Sequence, residues 1–238
     1  MDERERRTPA VCLVSGGMDS AVTLAEARVA GFAPYALTFA YGQRHAAELE
    51  SARRVARAGG AVEQREVTVD LAALGGSALT SELPVPKDRP HGTIGAGVPA
   101  TYVPARNTVF LAVALGWAEI IGARDIFLGV NAVDYSGYPD CRPAFLRAFE
   151  ELASVATAAG TEEGARFTLH APLQDLGKAD IVRRAMELDV DLSLTLSCYD
   201  PEQTDTGRVL ACGRCDACRL RLRGFAQAGL VDTVPYAS

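Results

Sequence analysis

Short apolar runs alternate with longer amphipathic stretches along this chain, and the alternation predicts strands separated by helices. Residues 10–14 read as a buried strand and 21–29 as the helix behind it. Residues 34–41 read as a second strand, 45–60 as a helix ended by Gly59 and Gly60, and 61–69 as a third strand. Residues 75–104 carry five prolines and five glycines with neither helical nor strand periodicity, the composition of a functional loop or lid. From Arg106 onward Val109, Phe110, Val113, Trp117, Ile120 and Ile121 recur at helical spacing. A strand at 124–130, a helix over 141–160, a strand at 165–173 and a helix over 178–190 follow, and no internal repeat interrupts them. The order predicts an α/β fold with a doubly wound parallel sheet, whose ligands sit beyond the carboxyl ends of the strands.

The stretch LVSGGMDSA, residues 13–21, lies between the first strand and its helix. Unpaired N–H groups and the positive end of the helix dipole favour an anion there, phosphate above all. Gly16 and Gly17 let backbone amides close around phosphate oxygens. On two glycines alone, a plain strand-to-helix turn with Asp19 as a cap fits equally well.

Bulk composition narrows the partners. At 238 residues with 48% hydrophobic residues, the chain supports one large α/β domain with a small appendage. The charged start has no apolar core like that of a leader, and no later run approaches bilayer length, so a cytoplasmic protein without a membrane partner is expected. A net charge of −6 argues against a nucleic-acid footprint and for small-molecule substrates. Residues 218–225 alternate three arginines with apolar residues, which reads as a solvated helix face.

Four of the six cysteines, Cys198, Cys212, Cys215 and Cys218, crowd the end of the chain in a C-x13-C-x2-C-x2-C pattern. Four thiolates suit tetrahedral zinc, and a set with no open position makes the site structural. An iron–sulfur cluster competes with zinc, disulfides less so in a reducing compartment. Cys12 and Cys141 are not expected to be ligands, Cys12 reading as a core thiol.

SGGMDS resembles the pyrophosphate loop of the PP-loop ATP pyrophosphatases, the adenine nucleotide alpha hydrolase-like fold. LTFAYGQRH (37–45), YVPARNTVFL (102–111), GVNAVDYSGYPDCR (129–142) and SCYD followed by CGRCDACRLRLRGF resemble one family within it, 7-cyano-7-deazaguanine synthase. The resemblance runs from about residue 10 to residue 225. It implies an ATP-dependent ligase that turns 7-carboxy-7-deazaguanine and ammonium into the nitrile through adenylated intermediates, for queuosine or related pathways. A nucleotide-binding body over 1–190, a zinc-binding segment over 191–238 and a homodimer are the corresponding expectations. The alternatives are a PP-loop paralogue acting on another carboxylate or on tRNA, and a non-catalytic nucleotide-binding module.

Carried onto this sequence, the resemblance implies that Val14, Ser15, Gly16, Gly17, Met18, Asp19, Ser20, Ala21, Val22, Thr23 and Leu24 cradle ATP. Asp19 acts through Mg²⁺, because a carboxylate beside phosphate needs a cation between them. Lys178 neutralises departing pyrophosphate, and Arg106 grips a phosphate or the substrate carboxylate. Asp134 or Asp140 reads the N–H edge of the base, Tyr135 or Tyr138 stacks on it, and His45 faces the nucleotide, while His91 and His170 are ordinary. The family usually has glycine where this chain has Ala105, and the segment between Cys198 and Cys212 is longer than usual, which predicts an extended surface loop.

Overall fold

The computed structural model describes residues 7–43, 47–90, 94 and 97–237, without the side chains of Tyr135 and Ser136. Five parallel strands, β1 (Thr8–Leu13), β2 (Phe32–Ala40), β3 (Glu63–Thr68), β4 (Asp125–Phe127) and β5 (Thr168–His170), form one sheet in the order β3-β2-β1-β4-β5. This is the doubly wound architecture expected. The strand order reverses between β1 and β4, which opens the ligand crevice at their carboxyl ends.

Burial along β1 shows why an apolar run rather than an alternating one was visible. Ala10 and Cys12 pack with α1 (Met18–Val29) and α2 (Ala47–Ala58) on one face, while Val11 packs on the other with Leu111, Leu115 and Ala118 of α3 (Arg106–Ile120). Both faces of a central parallel strand are covered, so both sets of side chains are apolar. Ile120 is the exception among the α3 positions chosen by periodicity, being 75% exposed at the last turn.

The stretch expected as one helix over 141–160 is two. α5 (Pro143–Ala156) stops at Thr157, whose extended backbone (φ −123°, ψ 152°) starts α6 (Ala158–Glu163). The Thr157 hydroxyl accepts the Gly160 N–H at 3.0 Å, so a cap residue outcompetes continuation of the helix. α4 (Ala132–Gly137), absent from the sequence reading, is one short helix capped by the Asn131 side chain. The irregular segment 75–104 contains no regular strand or α-helix among its described residues.

After α7 (Lys178–Glu187) the chain crosses the cysteine region and ends with α8 (Asp216–Ala228), which packs against α7. The segment expected as an extended loop between Cys198 and Cys212 folds instead into a small antiparallel hairpin, β6 (Glu202–Gln203) with β7 (Val209–Leu210). Its turn is closed by Gly207 N–H to the Thr204 carbonyl at 2.8 Å. Arg221 of α8 is not on a solvated face: its side chain is 3% exposed and pairs with Asp232 through Nε–Oδ2 2.7 Å and Nη2–Oδ1 3.0 Å.

Candidate active site

Gly16 makes the turn after β1 at φ 85°, where a Cβ would stand 2.5 Å from the Ala52 amide nitrogen and 2.8 Å from the Glu48 carbonyl oxygen. Only glycine fits so tight an approach of the loop to α2. The Gly16 carbonyl accepts the Ser51 hydroxyl at 2.8 Å and the Leu196 N–H at 2.9 Å, which nails the loop to α2 and to the segment before Cys198. Gly17 has ordinary space around it and caps α1 with no side-chain bond, so packing does not explain that glycine. First-turn amides beside a residue without a side chain suit an anion, although the Met18 N–H already donates to the Ser197 hydroxyl at 3.4 Å.

A cavity of about 260 Å³ opens beyond this loop, at the point where the strand order reverses. Val14, Ser15, Gly17, Met18, Asp19 and Ser20 line it, whereas Ala21, Val22, Thr23 and Leu24 turn into the core and Gly16 turns toward α2. Asp19 Oδ2 accepts the Lys178 ammonium at 2.5 Å and the Asn131 side-chain amide at 3.2 Å. The same amide reaches Asp134 Oδ2 at 2.6 Å, so one fully buried asparagine bridges two carboxylates. Asp19 Oδ1 is buried without a partner. Burial pushes the Asp134 carboxyl up to about 6, with Lys178 pulling against it and Asp19 adding to the rise. Burial works against the Lys178 charge, but the two carboxylates outweigh it and raise its pKa.

Arg106, Tyr41 and Glu48 also line the cavity. Arg106 begins α3 after a left-handed Ala105 (φ 54°, ψ 21°), and its guanidinium lies 5.8 Å from the Tyr41 and Phe110 ring centres. Burial pushes the Glu48 carboxyl up to about 7, the Arg106 charge pulling partway back, and pushes Tyr41 up to about 12. Tyr138 and Tyr199 share the remaining wall with Thr101, whose hydroxyl lies 3.4 Å from the Tyr138 oxygen. Burial raises Tyr138, and the neighbouring Tyr138 hydroxyl raises Tyr199, so both are neutral donors near pH 7.

Asp140 is placed elsewhere. Its Oδ2 accepts the Asn107 backbone N–H at 3.0 Å, and the Asn107 side chain returns to the Asp140 carbonyl at 3.0 Å, so Asp140 caps the start of α3 and is absent from the cavity lining. His45 and His91 lie outside the described residues, as does the side chain of Tyr135. His170 sits on β5, with Nε2 2.6 Å from Asp125.

The four sulfurs of Cys198, Cys212, Cys215 and Cys218 lie within 4.8 Å of one another and are buried. Zn–S bonds of about 2.3 Å set tetrahedral sulfur separations of about 3.8 Å, and four sulfurs within 4.8 Å of one another are close enough to converge on one ion. Backbone N–H groups point at the sulfurs, Cys212 to Cys198 at 3.2 Å and Cys215 to Cys212 at 3.3 Å, as suits negatively charged ligands. Cys12 and Cys141 stand apart from the cluster, and Cys141 accepts the Asn107 amide at 3.2 Å.

Sequence reasoning missed Asn131, Glu48 and Arg221. Asn131 was signalled only by its place just after β4. Arg221 lies three residues after Cys218 and four before Phe225, on the buried stripe of α8, which outweighs the alternation of arginines that suggested a solvated face. Glu48, in the first turn of α2, gave no signal until α2 was seen against the glycine loop.

A doubly wound parallel sheet with a glycine loop at its switch point, facing a lysine–carboxylate pair, defines an α/β protein whose candidate site lies at the carboxyl ends of its strands. The chain belongs to the family described as "Queuosine biosynthesis protein QueC", whose sequence model matches residues 9–229. It is 58% identical to a 7-cyano-7-deazaguanine synthase of Paramagnetospirillum magneticum over 97% of this chain and 99% of that protein. A protein of the same name from Myxococcus xanthus is 58% identical over 95% of this chain and 96% of its own. An NMN synthetase structure from Francisella tularensis is similar at 16% identity and TM-score 0.49, over 96% of this chain and 90% of that one.

Proposed function

We propose that this chain is an ATP-dependent carbon–nitrogen ligase that converts 7-carboxy-7-deazaguanine and ammonium to 7-cyano-7-deazaguanine, in queuosine or a related deazaguanine pathway. The observation that carries the reading is identity of 58% across nearly the whole chain to relatives bearing that name.

A carboxylate is a poor electrophile, because its charge repels nucleophiles and neither oxygen leaves readily. Transfer of AMP to it removes both obstacles, and a second transfer to the amide oxygen lets AMP depart to give the nitrile. The loop from Ser15 to Ser20 receives the phosphates, Lys178 neutralises the leaving pyrophosphate, and Arg106 grips the substrate carboxylate bidentately. The unpartnered Asp19 Oδ1, with Asp134 held beside it through Asn131, fits a Mg²⁺ ion. When bound, such an ion supplies charge neutralisation to the phosphates. Asp134 therefore belongs with the phosphate end, and the base is read at the Tyr138–Tyr199–Thr101 wall. Asp140 serves by fixing the start of α3 and with it Arg106.

The cysteine cluster holds zinc as a structural ion, its all-sulfur set leaving no position for substrate. The division at residue 190 separates the phosphate-binding body from this metal-bearing segment. No helix among the described residues is long and apolar enough to cross a membrane, and a thiol cluster of this kind suits the reducing cytoplasm. A homodimer and small-molecule partners without nucleic acid complete the proposal; sedimentation at micromolar concentration tests the first.

Incubation with ATP, Mg²⁺, ammonium and 7-carboxy-7-deazaguanine, followed by mass spectrometry, is expected to give nitrile together with AMP. Unchanged base would remove the proposal. Asp19→Asn, which keeps the side-chain shape, is expected to lower substrate-dependent ATP–pyrophosphate exchange at least about a hundredfold with Tm nearly unchanged. Undiminished exchange would take Asp19 out of the phosphate site.

A further inference from the structure

The nitrogen of the proposed reaction enters as ammonium with four hydrogens and ends as nitrile with none. Each bond it forms to carbon releases protons that some group near the reacting carbon has to accept. The cavity lining offers few such groups. Asp19 is held by Lys178, and Asp134 is held by Asn131 beside that same lysine, at the phosphate end. Tyr41, Tyr138 and Tyr199 are protonated at neutral pH and donate rather than accept. Burial likewise keeps the Cys141 thiol protonated. Among the described residues Glu48 remains, lining the same cavity as Arg106, with its carbonyl against Gly16 and the Arg106 charge acting on it. With Arg106 gripping the substrate carboxylate, as proposed above, the reacting carbon sits at the charge that acts on Glu48 within the same cavity.

We infer that Glu48 is the catalytic base that takes protons from the incoming nitrogen, a role that rests on the function proposed above. Ammonium releases one proton to water as ammonia enters; in the first step the ammonia lone pair forms the C–N bond, and the C–O bond to AMP breaks with its electrons on the phosphate oxygen. An N–H bond gives its proton to a Glu48 carboxylate oxygen and its electrons to nitrogen. In the second step the O-adenylated amide, which carries two N–H bonds and a positive charge, first gives one proton through Glu48 to water; the electrons of its remaining N–H bond then close the C≡N bond as the C–O bond to the second AMP breaks, and that proton also goes to Glu48. Between steps Glu48 returns its proton to water. A carboxyl at about 7 is matched to this duty, since it is half ionised at the working pH and basic enough to accept.

The test separates activation from nitrogen transfer. Glu48→Gln is expected to keep substrate-dependent ATP–pyrophosphate exchange within about threefold of wild type, while ammonium-dependent amide and nitrile formation falls by about 100-fold or more. Hydroxylamine, uncharged at neutral pH and giving an adduct acidic enough to lose its proton to water, is expected to form hydroxamate equally well with both proteins. Tm checks that the variant folds, and Glu48→Asp, with its carboxylate drawn back by one methylene, replaces it if it does not. That variant should show the same split, with nitrogen transfer reduced by more than exchange. Parallel loss of exchange and nitrile would make Glu48 a binding residue and overturn the inference, as would full nitrile formation. A wild-type protein that yields no nitrile fails the proposed function instead, so the two failures are distinct.

Discussion

At the scale of single residues, Ala105 carries the clearest unmet preference. Its backbone is left-handed (φ 54°, ψ 21°) at the start of α3, an arrangement that costs an alanine about 1–2 kcal/mol and glycine almost nothing. Glycine returns about 0.5–1 kcal/mol through its freer unfolded chain, so the net gain from Ala105→Gly is about 0.5–1 kcal/mol. Its N–H bond to the Tyr102 hydroxyl at 3.1 Å is a backbone bond and survives the change. A thermal melt should therefore show Tm about 2 °C higher with activity retained; a lower Tm would mean that glycine loosens Arg106 more than it relieves strain. The glycine usual in the resembled family has this backbone as its physical reason, which sequence alone cannot supply. Residues whose role comes from a local pattern, the glycine loop and the C-x2-C pairs, were legible. Asn131, Glu48 and Asp140 were not, because their partners Asp19, Arg106 and Asn107 lie on other elements.

At the scale of elements, the helix edges and the close approach of α7 to α8 were hidden, although the order of strands and helices could be read. The pattern sees hydrophobic period but not cap competition, which is why Thr157 divides what looks like one helix. Gly224 of α8 looks like a flaw in an amphipathic helix. A Cβ there would stand 2.8 Å from Lys178 Cβ and 3.0 Å from its carbonyl carbon, so the glycine is what lets α8 reach the first residue of α7. Gly224→Ala gains about 1 kcal/mol in helix propensity but forces a shift costing about 1–3 kcal/mol. Stability should fall by about 0–2 kcal/mol, while displacement of Lys178 from Asp19 should cut kcat about 10- to 100-fold. Kinetics alongside a melt checks this, and unchanged kcat would show that Lys178 moves without consequence. Arg221 and Asp232 form the second tie of this region, with Tyr236 donating to Asp232 Oδ2 at 2.6 Å. Burial opposes ionisation of Asp232, but its bonds to Arg221 prevail and hold its pKa below the usual 3.8. A lowered carboxylate pKa stabilises the fold above its unfolded value, and that contribution drains away as pH falls through the folded one. The stability gap between wild type and Asp232→Asn, about 3 kcal/mol at neutral pH, should thus stay constant down to about pH 4 and shrink below it. Denaturant melts across this range test it; a gap that widens on acidification would reverse the assignment.

Across the whole molecule, the cysteine segment and the glycine loop are one mechanical unit. Cys198 lies between Ser197, whose hydroxyl accepts the Met18 N–H at 3.4 Å, and Tyr199, which lines the cavity. Leu196 N–H holds the Gly16 carbonyl at 2.9 Å, so three residues next to the cluster touch the glycine loop or face the candidate site. On its other side the cluster anchors the irregular segment: Lys87 pairs with Asp200 at 2.8 Å, Arg89 with Asp216 at 2.7 Å, and Asp88 N–H donates to the Arg214 carbonyl at 2.9 Å. Such a proline-rich stretch has no ladder of its own and takes its order from these ties. The α1–α2 face of the sheet does not depend on them, since its core holds none of the four cysteines, which belong to the larger cluster on the α3 face. Removing the metal should leave the far-UV circular dichroism of the sheet and its helices largely intact. The same treatment should weaken ATP binding at least about tenfold and open residues 84–90 to proteolysis, because four unneutralised thiolates repel and release both ties. Chelation under reducing conditions, followed by calorimetric ATP titration and limited digestion, measures both effects, and restoring zinc should reverse them together. Tight ATP binding by metal-free protein would mean that the phosphate loop is held by Ser51 and α2 alone, and that the metal-bearing segment stabilises only itself.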